Sequence, residues 1–162
     1  MAGSVEELLD TQDNRRCLID TFPGLADDAN FKVLSECTTR YNCIAWAMGF
    51  EDRWVEPQEH PEYWWPAGAE RGLSRSALES AFESVGFVKA SDASMEIGFD
   101  KVVLYGKDGQ WAHAARIIGS DICHSKFGGA WDCRHSIYSI VGALYGNPYC
   151  YMKRPVVVQY NC

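Results

Sequence analysis

The chain has 162 residues, 47% of them apolar and 23% charged, the balance of a single folded domain with a core of its own, in which residues 1–25 could be peripheral. A formal net charge of -7, with no basic run longer than Arg15-Arg16, argues against nucleic acid or an anionic membrane as partner. Nothing approaches the roughly 20 consecutive apolar residues that span a bilayer, and the first sixteen residues are acidic where a secretory signal needs a basic start and an apolar run. The default expectation is therefore a cytoplasmic protein, with signal-independent export compatible with it.

In chain order, residues 1–25 predict a short acidic helix closed by a turn at Phe22-Pro23-Gly24. Residues 27–39 predict a second helix, with Phe31, Val33, Leu34 and Cys37 facing inward. At Tyr41–Gly49, Asn42 is a good N-cap, and Ile44, Ala47 and Met48 sit at i, i+3 and i+4. Gly49 is a plausible stop, so Cys43 falls on the first turn of a short buried helix. Residues 50–70 hold Trp54, Tyr63, Trp64 and Trp65 among three prolines and predict a long irregular loop.

Ser74 opens an amphipathic helix with Leu78, Ala81, Phe82 and Val85 on one face and Gly86 at its end. An antiparallel meander follows. Its strands are expected at Lys101–Tyr105, Trp111–Ile118 and Ile122–Phe127, joined by turns at Gly106–Gly109 and Gly119–Asp121. Ser136–Tyr145 predicts a helix and Pro155–Tyr160 a last strand. Helices first and a small antiparallel sheet afterwards make an α+β protein.

Seven cysteines (17, 37, 43, 123, 133, 150 and 162) are an odd number without a CxxC pair. They are expected to be mainly free thiols, with one candidate nucleophile. Cys43 is that candidate, because unpaired N–H groups at a helix start stabilise a thiolate. His113 is the expected general base, set among small residues in Trp111-Ala112-His113-Ala114-Ala115, and strand alternation would place it on one face with Trp111. Its orienting acceptor should come from the following strand: Ser125 or Asp132, with His124 a further choice.

Asn42 could contribute to an oxyanion hole, and Lys126 could bind a substrate carboxylate. Trp46, Trp64, Trp65 and Trp111 are candidate substrate contacts. Cys43 could instead be an inert core thiol and His113 a satisfied core histidine. Asp132 and His135 could cap the helix expected from Ser136. The Trp-rich loop could equally be a flap packed on the helices. No cofactor is expected. Cys123, His124, Cys133 and His135 offer zinc-ligand types, but their spacing fits no standard site.

The chain resembles an uncharacterised bacterial family through YNCIAWA (41–47), DRW (52–54), YWWP (63–66), the ALESAFESVGF helix, EIGFDKVVLYG (96–106), HAARII (113–118), HSKFGG (124–129) and DCRH (132–135). NCIAWA and HAAR are the most specific pieces, and that family implies no proven activity. In layout the chain is also similar to the papain-like thiol hydrolases, with Cys at a helix start and His on a later antiparallel strand. That resemblance implies Cys43 as nucleophile and His113 as base. It implies a papain-like fold, and hydrolysis of a peptide, isopeptide, other amide or ester bond. The third residue does not carry over cleanly, and no oxyanion-hole Gln precedes Cys43 at a family-like spacing. Amine transfer or glutamine deamidation would use the same residues, and an effector or toxin role would suit so compact an enzyme. The competing expectation is a non-enzymatic interaction or immunity-type protein that uses residues 54–65 as its contact surface.

Overall fold

A computed structural model describes residues 9–156. Helix α1 (Gln12–Thr21) is capped by Thr11, whose hydroxyl accepts the Asn14 N–H at 3.2 Å. A 3-10 turn, Pro23–Asp27, follows it. Helix α2 (Cys43–Met48) lies between Asn42, whose side chain accepts the Ala45 N–H at 3.1 Å, and Gly49, left-handed at φ 98°. Helix α3 (Arg75–Ser84) is capped in the same way by Ser74, and it buries Ala77, Leu78, Ala81 and Phe82. These two caps and the 3.6-residue stripes behind them act as the sequence indicates.

The described residues also hold nine strands: β1 (Lys32–Val33), β2 (Trp54–Val55), β3 (Tyr63–Trp64), β4 (Val88–Ala90), β5 (Phe99–Lys107), β6 (Gln110–Gly119), β7 (Ile122–Lys126), β8 (Asp132–Ser136) and β9 (Asn147–Pro155). Seven of them form one antiparallel sheet in the order β1-β8-β7-β6-β5-β9-β4, while β2 and β3 make a separate parallel pair. The protein is α+β. The β5–β6 hairpin turns on Asp108 (φ 54°) and Gly109 (φ 77°), two successive left-handed residues whose twist matches the strands they join.

The sheet is covered on both faces. On one side α2, α3 and the β2–β3 pair pack on Val102, Leu104, Ala114 and Met152. On the other, Leu18, Phe22, Leu25, Ile137 and Ile140 pack on Val103, Tyr105, Ala115 and Ile117. This double coverage explains why residues 101–106 are all buried rather than alternating.

Two expected helices are absent. Residues 27–39 are not a helix. The segment is extended, Val33 pairs with Cys133, and the Asp28 carboxylate accepts the Ser136 N–H and hydroxyl, both at 2.7 Å. Ser136 ends β8 and residues 137–145 are mostly turns, so Asp132 and His135 cap no helix; they lie inside β8 instead. The last described strand ends at Pro155, and residues 157–160 lie outside the described residues. The expected loop at 50–70 contains β2 and β3, and β4 and β8 were not expected at all.

Candidate functional site

Cys43 opens α2 on the α2 face of the sheet, 9% exposed. Burial pushes its thiol up to about 11. The charge of Glu56 adds to that, while backbone N–H groups of Ala114, Ile44 and Cys43 itself pull the other way. The helix-start stabilisation is thus present but outweighed by desolvation in the closed protein.

His113 lies on the opposite face, so it does not pair with Cys43. Its ring stacks on Tyr145 at 4.0 Å and lies 5.6 Å from both Tyr105 and Phe127. It is fully buried with neither ring nitrogen hydrogen-bonded, and burial holds its pKa well below the ordinary histidine value, the nearby His135 adding to the effect. The expectation of a common face with Trp111 fails for a specific reason. Tyr105 pairs with His113 but Gly106 pairs with Trp111, so Ala112 is one residue too many on β6. A bulge of this kind breaks the period-two alternation. Trp111 turns to the α2 face, where its indole N–H donates to the Gly72 carbonyl and its ring stacks on Trp65 at 6.3 Å.

Ser125 does not orient His113 either. Its hydroxyl lies 2.6 Å from His135 Nε2, and His135 Nδ1 lies 2.9 Å from the Ser136 carbonyl. A carbonyl can only accept, so Nδ1 carries the proton and Ser125 donates to Nε2. Burial lowers His135 to about 4. This pair is sealed in the core beside His113.

The α2 face carries a different set. On β7, His124 and Lys126 point the same way by alternation, and Lys126 pairs across to Asp132 on β8. Carrying the β6–β7 register on from Arg116 opposite His124 brings Lys126 opposite Ala114, whose backbone faces Cys43. Lys126 is buried. Its ammonium donates to the Thr38 and Gly128 carbonyls and lies 5.3 Å from the Tyr41 ring. Desolvation lowers its pKa, while Asp132 and the thiols of Cys37, Cys43 and Cys133 hold it up. Two of its three N–H donors are used, so it is a fixed cation rather than a free hand for a substrate carboxylate.

Asp132, 2% exposed, accepts the Tyr41 hydroxyl on Oδ2 at 3.1 Å, and the same oxygen stands 3.6 Å from His124 Nε2. Burial and then the Asp132 charge push the Tyr41 hydroxyl up to about 12. Asp132 Oδ1 and His124 Nε2 are buried without a hydrogen-bond partner. His124 packs on Trp46 at 4.6 Å, and the Trp46 indole N–H donates to the His124 carbonyl at 3.2 Å. The structure thus places Cys43, Trp46, Lys126 and Asp132 on one face of the sheet, and it adds Tyr41 and His124. Tyr41 carries no sequence signal beyond standing beside the N-cap. The sequence offers His124 only as an orienter or a zinc-ligand type, not as the base.

Asn42 is tied into the fold through both side-chain atoms, with one of its two Nδ2 hydrogens left over. Its Nδ2 donates to the Val55 carbonyl at 2.8 Å, and its Oδ1 takes both the Ala45 and Val55 N–H groups. These bonds tie β2 down beside Cys43, with Val55 fully buried and Glu56 close enough to act on the thiol. Trp65 is buried and Trp64 half-buried in the same core, so the Trp-rich segment is a packed flap. Cys123, Cys133 and His135 face away from His124 across the sheet, and no group of three or more metal-ligating side chains occurs among the described residues. No described helix is long and apolar enough to cross a membrane.

Residues 32–153 match the family described as a domain of unknown function, DUF7689. The chain belongs to that family. The match spans α2, both faces of the sheet and every residue of the site just described. No curated protein and no solved structure matches the chain.

Proposed function

We propose that this DUF7689 chain is a thiol hydrolase of papain-like layout in which His124, oriented by Asp132, takes the part first expected of His113. The observation that carries the reading is the pair of unpartnered buried atoms, Asp132 Oδ1 and His124 Nε2, on the same face as Cys43 and the Lys126 cation. Buried polar atoms left unpaired cost about 1–3 kcal/mol each. Such a cost is commonly retained where the groups have work to do.

The chemistry follows from the roles. With Asp132 holding His124 at Nε2, the Cys43 thiol gives its proton to the other ring nitrogen, Nδ1, and the thiolate is stabilised by the Lys126 ammonium and the Ala114 N–H. Its sulfur attacks the carbonyl carbon of an amide, isopeptide or ester bond. The C–N or C–O bond breaks as His124 returns the proton to the leaving amine or alkoxide, and a thioester remains on Cys43. Water, deprotonated by His124, then attacks the thioester and releases the acid. Replacing water by an amine gives transfer, and a glutamine side chain as substrate gives deamidation. The flap at 54–66 must open for any substrate to reach the sulfur.

The test is acylation by an activated ester. Mixing the protein with p-nitrophenyl acetate should add one acetyl group to Cys43, read by intact mass and peptide mapping, and water should remove it. Cys43→Ala should abolish the adduct and Asp132→Asn should slow its formation about tenfold or more. Failure of Cys43 to acylate ahead of the other cysteines would leave it the inert core thiol that its elevated pKa also describes.

A further inference from the structure

The geometry points to a second site, independent of Cys43: an anion-binding cleft between Arg116 and Arg154 at the C-terminal end of α2, suited to a carboxylate or phosphate group. The cleft encloses about 370 Å³, and its lining includes Gly49, Asp100, Arg116, Ile118 and Arg154. Both guanidinium groups are held in place before any ligand arrives. Arg116 lies 3.6 Å from the Trp46 ring centroid and donates through Nε to the Trp46 carbonyl at 2.7 Å. Arg154 lies 4.4 Å from the Phe87 ring and donates to the Val85 and Met48 carbonyls at 3.1 and 2.9 Å.

These bonds leave part of the Arg116 guanidinium free. Arg116 uses only Nε, so both of its terminal amino groups have no protein partner among the described residues. A planar fork with two free amino groups, fixed by stacking, is the geometry that receives an oxyanion in a bidentate manner. Asp100 lines the same cleft yet makes no ion pair with either arginine among the described residues, so neither guanidinium is neutralised by direct contact there. Burial lowers the Arg116 pKa, Asp100 and Glu51 hold it up, and Arg154 presses it down again. A bound anion would relieve that like-charge contact. Gly49 is part of the construction: a Cβ there would stand 3.3 Å from Arg154 Nη2 and crowd the guanidinium.

The site touches the first through Trp46, which stands between Arg116 and His124. Its existence does not depend on any thiol chemistry.

Titration of the ¹⁵N-labelled full chain with sodium phosphate, and separately with sodium acetate, tests it, with sodium chloride at matched ionic strength as baseline. The Arg116 Nε–H and Trp46 indole N–H resonances should shift saturably with at least one of the two anions, and which one does so identifies phosphate or carboxylate as the ligand. Arg116→Gln should weaken binding about tenfold or more. Arg116→Lys keeps the charge without the fork and should also weaken it. Asp100→Asn should tighten it. Shifts that merely follow the chloride baseline, or binding unchanged in both Arg116 variants, would overturn the assignment.

Discussion

His113 and His124 are the two residues on which the account turns, and only their surroundings separate them. His113 is sealed between aromatic rings with both nitrogens bare, and His135 is held neutral nearby. Both have folded pKa values below the unfolded value of about 6.5. The unfolded chain therefore binds more protons once the pH falls below that value, and stability present above about pH 6.5 is lost as pH falls toward about 4. For His135 alone the loss is on the order of 3 kcal/mol. His113→Phe should remove its share, so that urea midpoints measured between pH 7 and pH 5 fall less steeply than in the parent. An unchanged pH profile would mean that His113 is not the buried neutral base described above.

At the scale of elements, helix α2 has only six residues and depends on its ends. Asn42→Ala removes the cap and leaves both polar backbone groups of Val55 without their side-chain partner. The expected cost is about 2–4 kcal/mol in denaturant unfolding, from a lost cap together with unpaired buried groups. Asn42→Asp keeps the acceptor but sets a buried carboxylate oxygen against the Val55 carbonyl, so at neutral pH it should cost at least as much. Gly49→Ala forces a Cβ into a left-handed turn and toward Arg154, with an expected loss of about 1–2 kcal/mol.

Elements whose signal is local were legible in the sequence. The Asn42 and Ser74 caps, the Leu78–Phe82 stripe and the Asp108-Gly109 turn all act where they stand. Elements that depend on distant partners were not. Nothing near Val33 announces its pairing with Cys133, and Asp28 straightens residues around Ser136 from more than a hundred positions away. The site was legible to the same extent: Cys43, Lys126 and Asp132 were within reach of sequence reasoning. The bulge at Ala112 was not, and that one inserted residue turns Trp111 to the α2 face and away from His113, which keeps the far face of Ala115 and Ile117.

Across the whole molecule, one sheet separates two cores that do different work. The far face closes on aliphatic and aromatic side chains, with the Ser125–His135 pair satisfied inside it. The α2 face holds the thiol, a cation, a carboxylate and a flap that is a two-residue strand pair tied mainly through Asn42. So short a pair has few bonds to break, and its opening should be sub-global. Hydrogen exchange should show the amides of Val55 and Glu56 opening well before those of β5 and β6. Equal protection in flap and sheet would mean that Cys43 is exposed only by global unfolding.

Iodoacetamide labelling in native buffer, with every cysteine mapped by mass, addresses the central claim that Cys43 belongs with His124, Lys126 and Asp132 and not with His113. Cys123 and Cys133, both buried on the far face, serve as internal controls. The account predicts that Cys43 labels faster than either control, that His113→Phe leaves its rate unchanged, and that His124→Ala and Lys126→Met each slow it about tenfold or more. Labelling lost in His113→Phe but kept in His124→Ala, or a Cys43 no faster than Cys123 and Cys133, would contradict it.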